Sequence, residues 1–125
     1  MKKLLFFLIV TSLIGCQSVD NKVASNSINV SFSNAVSAKA KDGRLLLMLS
    51  TDDEKEPRFQ INDGLSTQLI YGMNVDGMAP GTSKTFTNEV FGYPYPSLAE
   101  VPPGEYNVQA LLHVYETFDL STGHT

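Results

Sequence analysis

Tyr106-Asn107-Val108-Gln109-Ala110-Leu111-Leu112-His113-Val114-Tyr115 is the stretch that decides the fold class. Tyr106, Val108, Ala110, Leu112 and Val114 fall on one side of a period-two pattern. Asn107, Gln109, Leu111, His113 and Tyr115 fall on the other. Successive strand side chains point to opposite faces, so this is a strand with one apolar core face and one mixed face. Val101-Pro102-Pro103-Gly104, just before it, is a rigid turn. Leu120-Ser121-Thr122-Gly123, just after it, is a hairpin turn.

Further towards the N-terminus the same grammar repeats. Ile28, Val30 and Phe32 alternate with Asn29 and Ser31, a half-buried strand. Residues 33–40 are small and fit a loop or a bulged continuation of that strand. Asp42-Gly43 is a turn signal. Arg44 to Ser50 is a continuous apolar run of strand length, as expected for a central strand covered on both faces. A charged loop, Thr51 to Pro57, ends it. Arg58-Phe59-Gln60-Ile61 reads as a short alternating strand, and Asn62-Asp63-Gly64 as a turn. Thr67 to Gly72 reads as a strand closed by Asp76-Gly77 and Ala79-Pro80-Gly81. Lys84 to Thr87 reads as a strand near an edge. Phe91 to Pro96 is expected to be irregular, because Pro94 and Pro96 remove ladder donors. Six or seven short strands with Gly and Pro turns predict an all-β fold, a single immunoglobulin-like β-sandwich over residues 28–125, incomplete at its C-terminal end.

The N-terminus has a different composition. Met1-Lys2-Lys3 is basic, and an apolar run from Leu4 extends through Thr11 and Ser12 to Ile14. Its length suits a signal-peptide h-region rather than a membrane span. Leu13-Ile14-Gly15-Cys16 then resembles the lipobox of bacterial lipoproteins. Gly15 gives a peptidase access to the bond before Cys16, and the thiol carries a diacylglyceryl thioether. Acylation of the freed amine adds further chains, each buried CH₂ contributing roughly 0.8 kcal/mol to anchoring. The expected domains are a signal peptide over 1–15, a lipidated cysteine and polar tether over 16–27, and the sandwich from Ile28. Cys16 is the one cysteine, which excludes an intramolecular disulfide. Gln17, where Asp would favour the inner membrane, points to the outer membrane facing the periplasm. The expected partners are that membrane and the lipoprotein-processing and sorting machinery.

Loss of Lys2 and Lys3 leaves 7 basic against 13 acidic side chains, a net charge of −6. Nucleic acid is therefore not an expected partner, since phosphates need a basic surface. No cofactor is expected. Asp52, Asp53, Glu54 and Glu56 do not have EF-hand spacing and read as a solvated loop. The two histidines, His113 and His124, form no zinc pattern. Gly64-Leu65-Ser66 and Gly81-Thr82-Ser83 lack the second glycine and the helix of a nucleophile elbow. No catalytic or metal residue is assigned. Tyr93 and Tyr95 are the candidate ligand surface, aromatic faces that suit a sugar ring, with corner packing as the structural alternative.

Several segments occur in an order that carries a resemblance. They are Leu49-Ser50-Thr51-Asp52-Asp53, Glu56-Pro57-Arg58-Phe59-Gln60, Val101-Pro102-Pro103-Gly104-Glu105-Tyr106, Val108-Gln109-Ala110 and Tyr115-Glu116-Thr117-Phe118. Together, over residues 44–125, they resemble the β-rich N-terminal region of large secreted bacterial esterase-like proteins. The resemblance implies an α/β-hydrolase-type domain after this region, and the sequence contains no such domain. The hairpin turn is followed by only His124 and Thr125, so the 106–115 strand would lack a partner on that side. These features predict the front part of a longer protein with its hydrolase domain missing. The chain itself is expected to be a non-catalytic accessory domain; the alternative is a complete small envelope lipoprotein serving as a binding or structural module.

Overall fold

The structure is a computed structural model, and it describes residues 25–64, 67–116 and 121. Cys16 and Gly15, the expected tether up to residue 24, and the expected hairpin turn apart from Ser121 lie outside the described residues. Six strands are present among those described: β1 (Ile28–Val30), β2 (Lys41–Ser50), β3 (Leu69–Met78), β4 (Lys84–Phe86), β5 (Gly92–Tyr93) and β6 (Asn107–Val114). They form two sheets, one of order β5-β3-β2-β6 and a smaller one of β1-β4. Every pairing is antiparallel. The sheets pack face to face as an all-β sandwich, as the alternation predicted.

The apolar run does form the central strand. Leu45, Leu47 and Leu49 of β2 join Leu69, Tyr71 and Val75 of β3 in the core between the sheets. Phe86 of β4 enters from the small sheet and is fully buried, with half-buried Ile28 and Val30 beside it. Met48, on the opposite face of β2, is also buried.

Several expectations fail for local reasons. Asp42-Gly43 is not a turn but lies inside β2, where the register shifts against β3. Lys41 pairs with Met78 and Gly43 with Val75, so β3 carries one extra residue between those pairs. Gly77 takes φ 58° there, and its N–H donates to Asp42 Oδ1 at 2.6 Å. Such a bulge reverses the side-chain alternation. That is why Met78 is buried on the same side as Val75, and why β3 runs through Asp76-Gly77 instead of stopping there. The true turn follows at Ala79–Thr82, with Gly81 at φ 78°.

Residues 58–61 are not a strand. Pro57–Phe59 is a 3₁₀ turn with proline at its start, where the fixed φ is tolerated and no donor is lost. Gln60 ends it and ties to the buried Ser50 hydroxyl, 2.8 Å from Gln60 Oε1. Residues 91–96 are not wholly irregular either. Gly92–Tyr93 adds a short strand to β3, with Ile70 opposite Tyr93, before the cis Tyr93–Pro94 bond turns the chain away.

The largest departure concerns β6. Its even-numbered residues do lie on the core side, opposite Leu45, Leu47 and Leu49. Yet only Tyr106 and Leu112 pack against the core. Val108 is 54% exposed and Val114 39%. Among the described residues the two-stranded sheet is too narrow to reach across to β6, and the expected core face is left open.

Candidate functional site

The open side of the sandwich is built by three segments. β6 supplies the edge and its apolar face. Residues 25–28 lead into β1, and Asn26 Nδ2 donates to the Leu98 carbonyl at 2.9 Å, which fixes that strand over the sheet. The Val101–Gly104 turn lies between them, held by Tyr106, whose hydroxyl donates to the Pro102 carbonyl at 2.8 Å. A cleft of about 760 Å³ lies between the two layers here, lined by Ile28, Leu49, Leu98, Pro103, Tyr106 and Val108 among others. It is mainly apolar because it is the unsealed margin of the core.

A second cleft, about 460 Å³, opens on the other side of the same proline turn. Tyr95 and Tyr106 line it together with Pro94, Pro102, Thr67 and Leu69. Tyr95 is half-buried against the core, while Tyr93 stands 42% exposed on β5. The two tyrosines singled out from sequence thus sit in different surroundings. Tyr71 lies beneath, fully buried, with its hydroxyl 3.3 Å from the Ser97 carbonyl. Burial pushes its hydroxyl up to about 12, and the neighbouring Glu100, Tyr106 and Tyr95 add to the rise.

The polar residues weighed for chemistry have structural engagements. Asp52 Oδ1 accepts the Glu54 N–H at 2.8 Å. Glu56 pairs with Arg58 at 2.8 Å and accepts from Gln109 Nε2 at 2.9 Å. Among the described residues no group of three or more His, Cys, Asp or Glu side chains is placed to hold a metal ion. His113 sits on the non-core face of β6 opposite Arg44, edge-on to Tyr115 with ring centroids 6.5 Å apart. Gly81-Thr82-Ser83 leads into β4, a strand, so it is no nucleophile elbow. Leu65, Ser66 and His124 lie outside the described residues, as does the expected lipidation site at Gly15-Cys16.

The sequence points to the unpartnered edge of the 106–115 strand, but not to its uncovered face or to the cleft beside it. The one signal available was the lack of any charged residue from Asn107 to Val114. No family model, curated protein or solved structure matches this chain.

Proposed function

We propose that this chain is a lipid-anchored, non-catalytic β-sandwich module of the bacterial cell envelope, the accessory region of an esterase-like protein. The observation that carries the anchor is Leu13-Ile14-Gly15-Cys16, placed directly after a basic start and an apolar run. The position of β1 is compatible with it: the first strand among the described residues begins at Ile28, 12 residues after Cys16, and the stretch between is rich in small and polar residues. In this reading Cys16 carries the thioether lipid and Gly15-Cys16 is the cleaved bond. Gln17 favours the outer membrane, facing the periplasm. The sandwich then acts by presenting surface rather than by turning over substrate, and the hydrolase domain that the resemblance implies would do the chemistry.

The open β6 edge suits a strand that would follow in a longer protein; in the second reading, a complete small envelope lipoprotein, that exposed apolar margin binds or braces another component instead. Both readings predict lipid processing, and product size separates them. Envelope fractions are blotted for the folded domain with and without an inhibitor of lipoprotein signal peptidase. An upward shift on inhibition is expected, and its loss in Cys16→Ser. A product close to the 13.7 kDa of the chain selects the small lipoprotein. A product several times larger selects the accessory domain. Absence of any shift removes the anchor from both.

A further inference from the structure

Exposed apolar side chains are concentrated at one place in this molecule. Of nine exposed large hydrophobic residues among those described, four, Val108, Leu111, Val114 and Tyr115, lie in one short span. β6 carries the first three, with Tyr115 just past its end, and among the described residues it stands at the edge of the four-stranded sheet. Natural edges are defended by Lys, Pro, bulges or covering loops. β6 has no charge, no proline and an unbroken register with β2 over Gly43–Ser50.

The direction of its backbone groups follows from one hydrogen bond. Tyr115 N–H donates to the Asp42 carbonyl at 2.9 Å, next to the Gly43–Val114 pair. In an antiparallel ladder alternate residues bond to the same neighbour. Odd-numbered residues of β6 therefore bond β2, and Val108, Ala110, Leu112 and Val114 direct their N–H and C=O groups outward. Those same four carry their side chains on the core side of the sheet.

Resting on the second reading, the small lipoprotein in which no further strand returns along this edge, we infer that β6 pairs with β6 of a second copy of this chain, antiparallel about a two-fold axis through Leu111. Only a pairing of residues with equal parity keeps both apolar faces on one side of the joint sheet. Centring on Leu111 is the register that engages all four outward-directed residues of each copy. Val108 then lies opposite Val114 of the second copy, and Ala110 opposite Leu112. Both pairings are apolar, and the small alanine meets the larger leucine. On the other face Leu111 meets itself, Gln109 meets His113 and Asn107 meets Tyr115. β6 carries no Asp, Glu, Lys or Arg, so no pair brings like charges together. A C2 interface requires such self-complementarity. The product is an eight-stranded sheet with its open margins joined at the centre.

The register makes a sharp test. Leu111 sits in a non-hydrogen-bonded pair with its own copy, where Cα atoms lie about 4.5 Å apart, within disulfide reach. The full chain, extracted from membranes in mild detergent, is examined by sedimentation and by non-reducing gel. Wild type controls for any disulfide through Cys16. The expected results are a dimer mass for wild type, a covalent dimer for Leu111→Cys and none for Ala110→Cys. Ala110→Lys, an exposed substitution, is expected to give a folded monomer in which the Val108, Ala110, Leu112 and Val114 amides exchange quickly. A monomeric wild type overturns the proposal. So does a covalent dimer with Ala110→Cys but not Leu111→Cys, which would mean another register. Slow exchange of those four amides in a monomer would assign the edge to another segment of the same chain, and this too overturns it.

Discussion

Tyr71 shows how one side chain ties the layers together. Its ring is fully buried between β2, β5 and the turn before Leu98, and Gly92 packs directly on it. A methyl group at Gly92 would overlap the Tyr71 ring and come within 2.7 Å of the Ile70 carbonyl oxygen. Gly92→Ala should therefore destabilise the fold by about 1–3 kcal/mol, read as a lower urea midpoint, because overpacking forces the ring or the strand to move. The hydroxyl makes a second prediction. The folded state holds Tyr71 protonated up to about 12, against 10.0 in the unfolded chain. The folded state therefore binds more protons between these values, and stability falls as pH rises. The Tyr71 contribution is complete below pH 10.0 and is lost on passing to about 12. Urea midpoints measured across that interval should fall in wild type and fall less steeply in Tyr71→Phe. Equal slopes would mean that this hydroxyl ionises as freely in the folded protein as in the unfolded one.

At the scale of elements, the β3 bulge is the device that keeps the core continuous. Without the extra residue at Asp76-Gly77, Met78 would point away from Val75. Gly77 accepts φ 58° with open space around its Cα, so Gly77→Ala meets a conformational cost but no clash. A loss of about 1–2 kcal/mol is expected, the typical penalty for an L-residue in the left-handed region. Thermal unfolding would show it, and an unchanged midpoint would mean that the bulge had re-formed around another residue. This element was only half legible in the sequence. Asp76-Gly77 announced a glycine conformation, but a turn and a bulge use the same residues. Asp42-Gly43 misled for a similar reason: its glycine admits the close approach of the His113 backbone within a continuous strand. Arg58–Ile61 alternates like a strand, yet Pro57 and the Ser50–Gln60 contact set a 3₁₀ turn. Local pattern loses there to a tertiary hydrogen bond.

For the whole molecule, the decisive property is the unequal width of the two layers. Among the described residues four strands face two, so the core is sealed over β3 and β2 and open over β6. Phe86 is the main insertion from the narrow layer and is wholly buried. Phe86→Ala should cost about 3–5 kcal/mol and expose the large sheet, which equilibrium unfolding would register together with increased binding of a hydrophobic dye. If only the β1–β4 layer loosened while the large sheet held, unfolding would split into two transitions, and the sandwich would not be one cooperative unit. The open side also gives the proposed dimer its contact surface, since the edge and the uncovered face coincide on one strand.

The sequence by itself determined the all-β class, the central position of the Arg44–Ser50 run and the strand character of Asn107–Val114. These follow from side-chain period and from turn residues, which act over a few neighbours. It also carries the whole case for the proposed lipobox at Cys16, which lies outside the described residues. Only the tertiary structure decided which apolar faces are buried. Tyr106, Val108, Ala110, Leu112 and Val114 have the pattern of a core face, but burial depends on what lies across the sheet. A period-two pattern specifies that a face is apolar; the width of the opposing layer decides whether anything covers it.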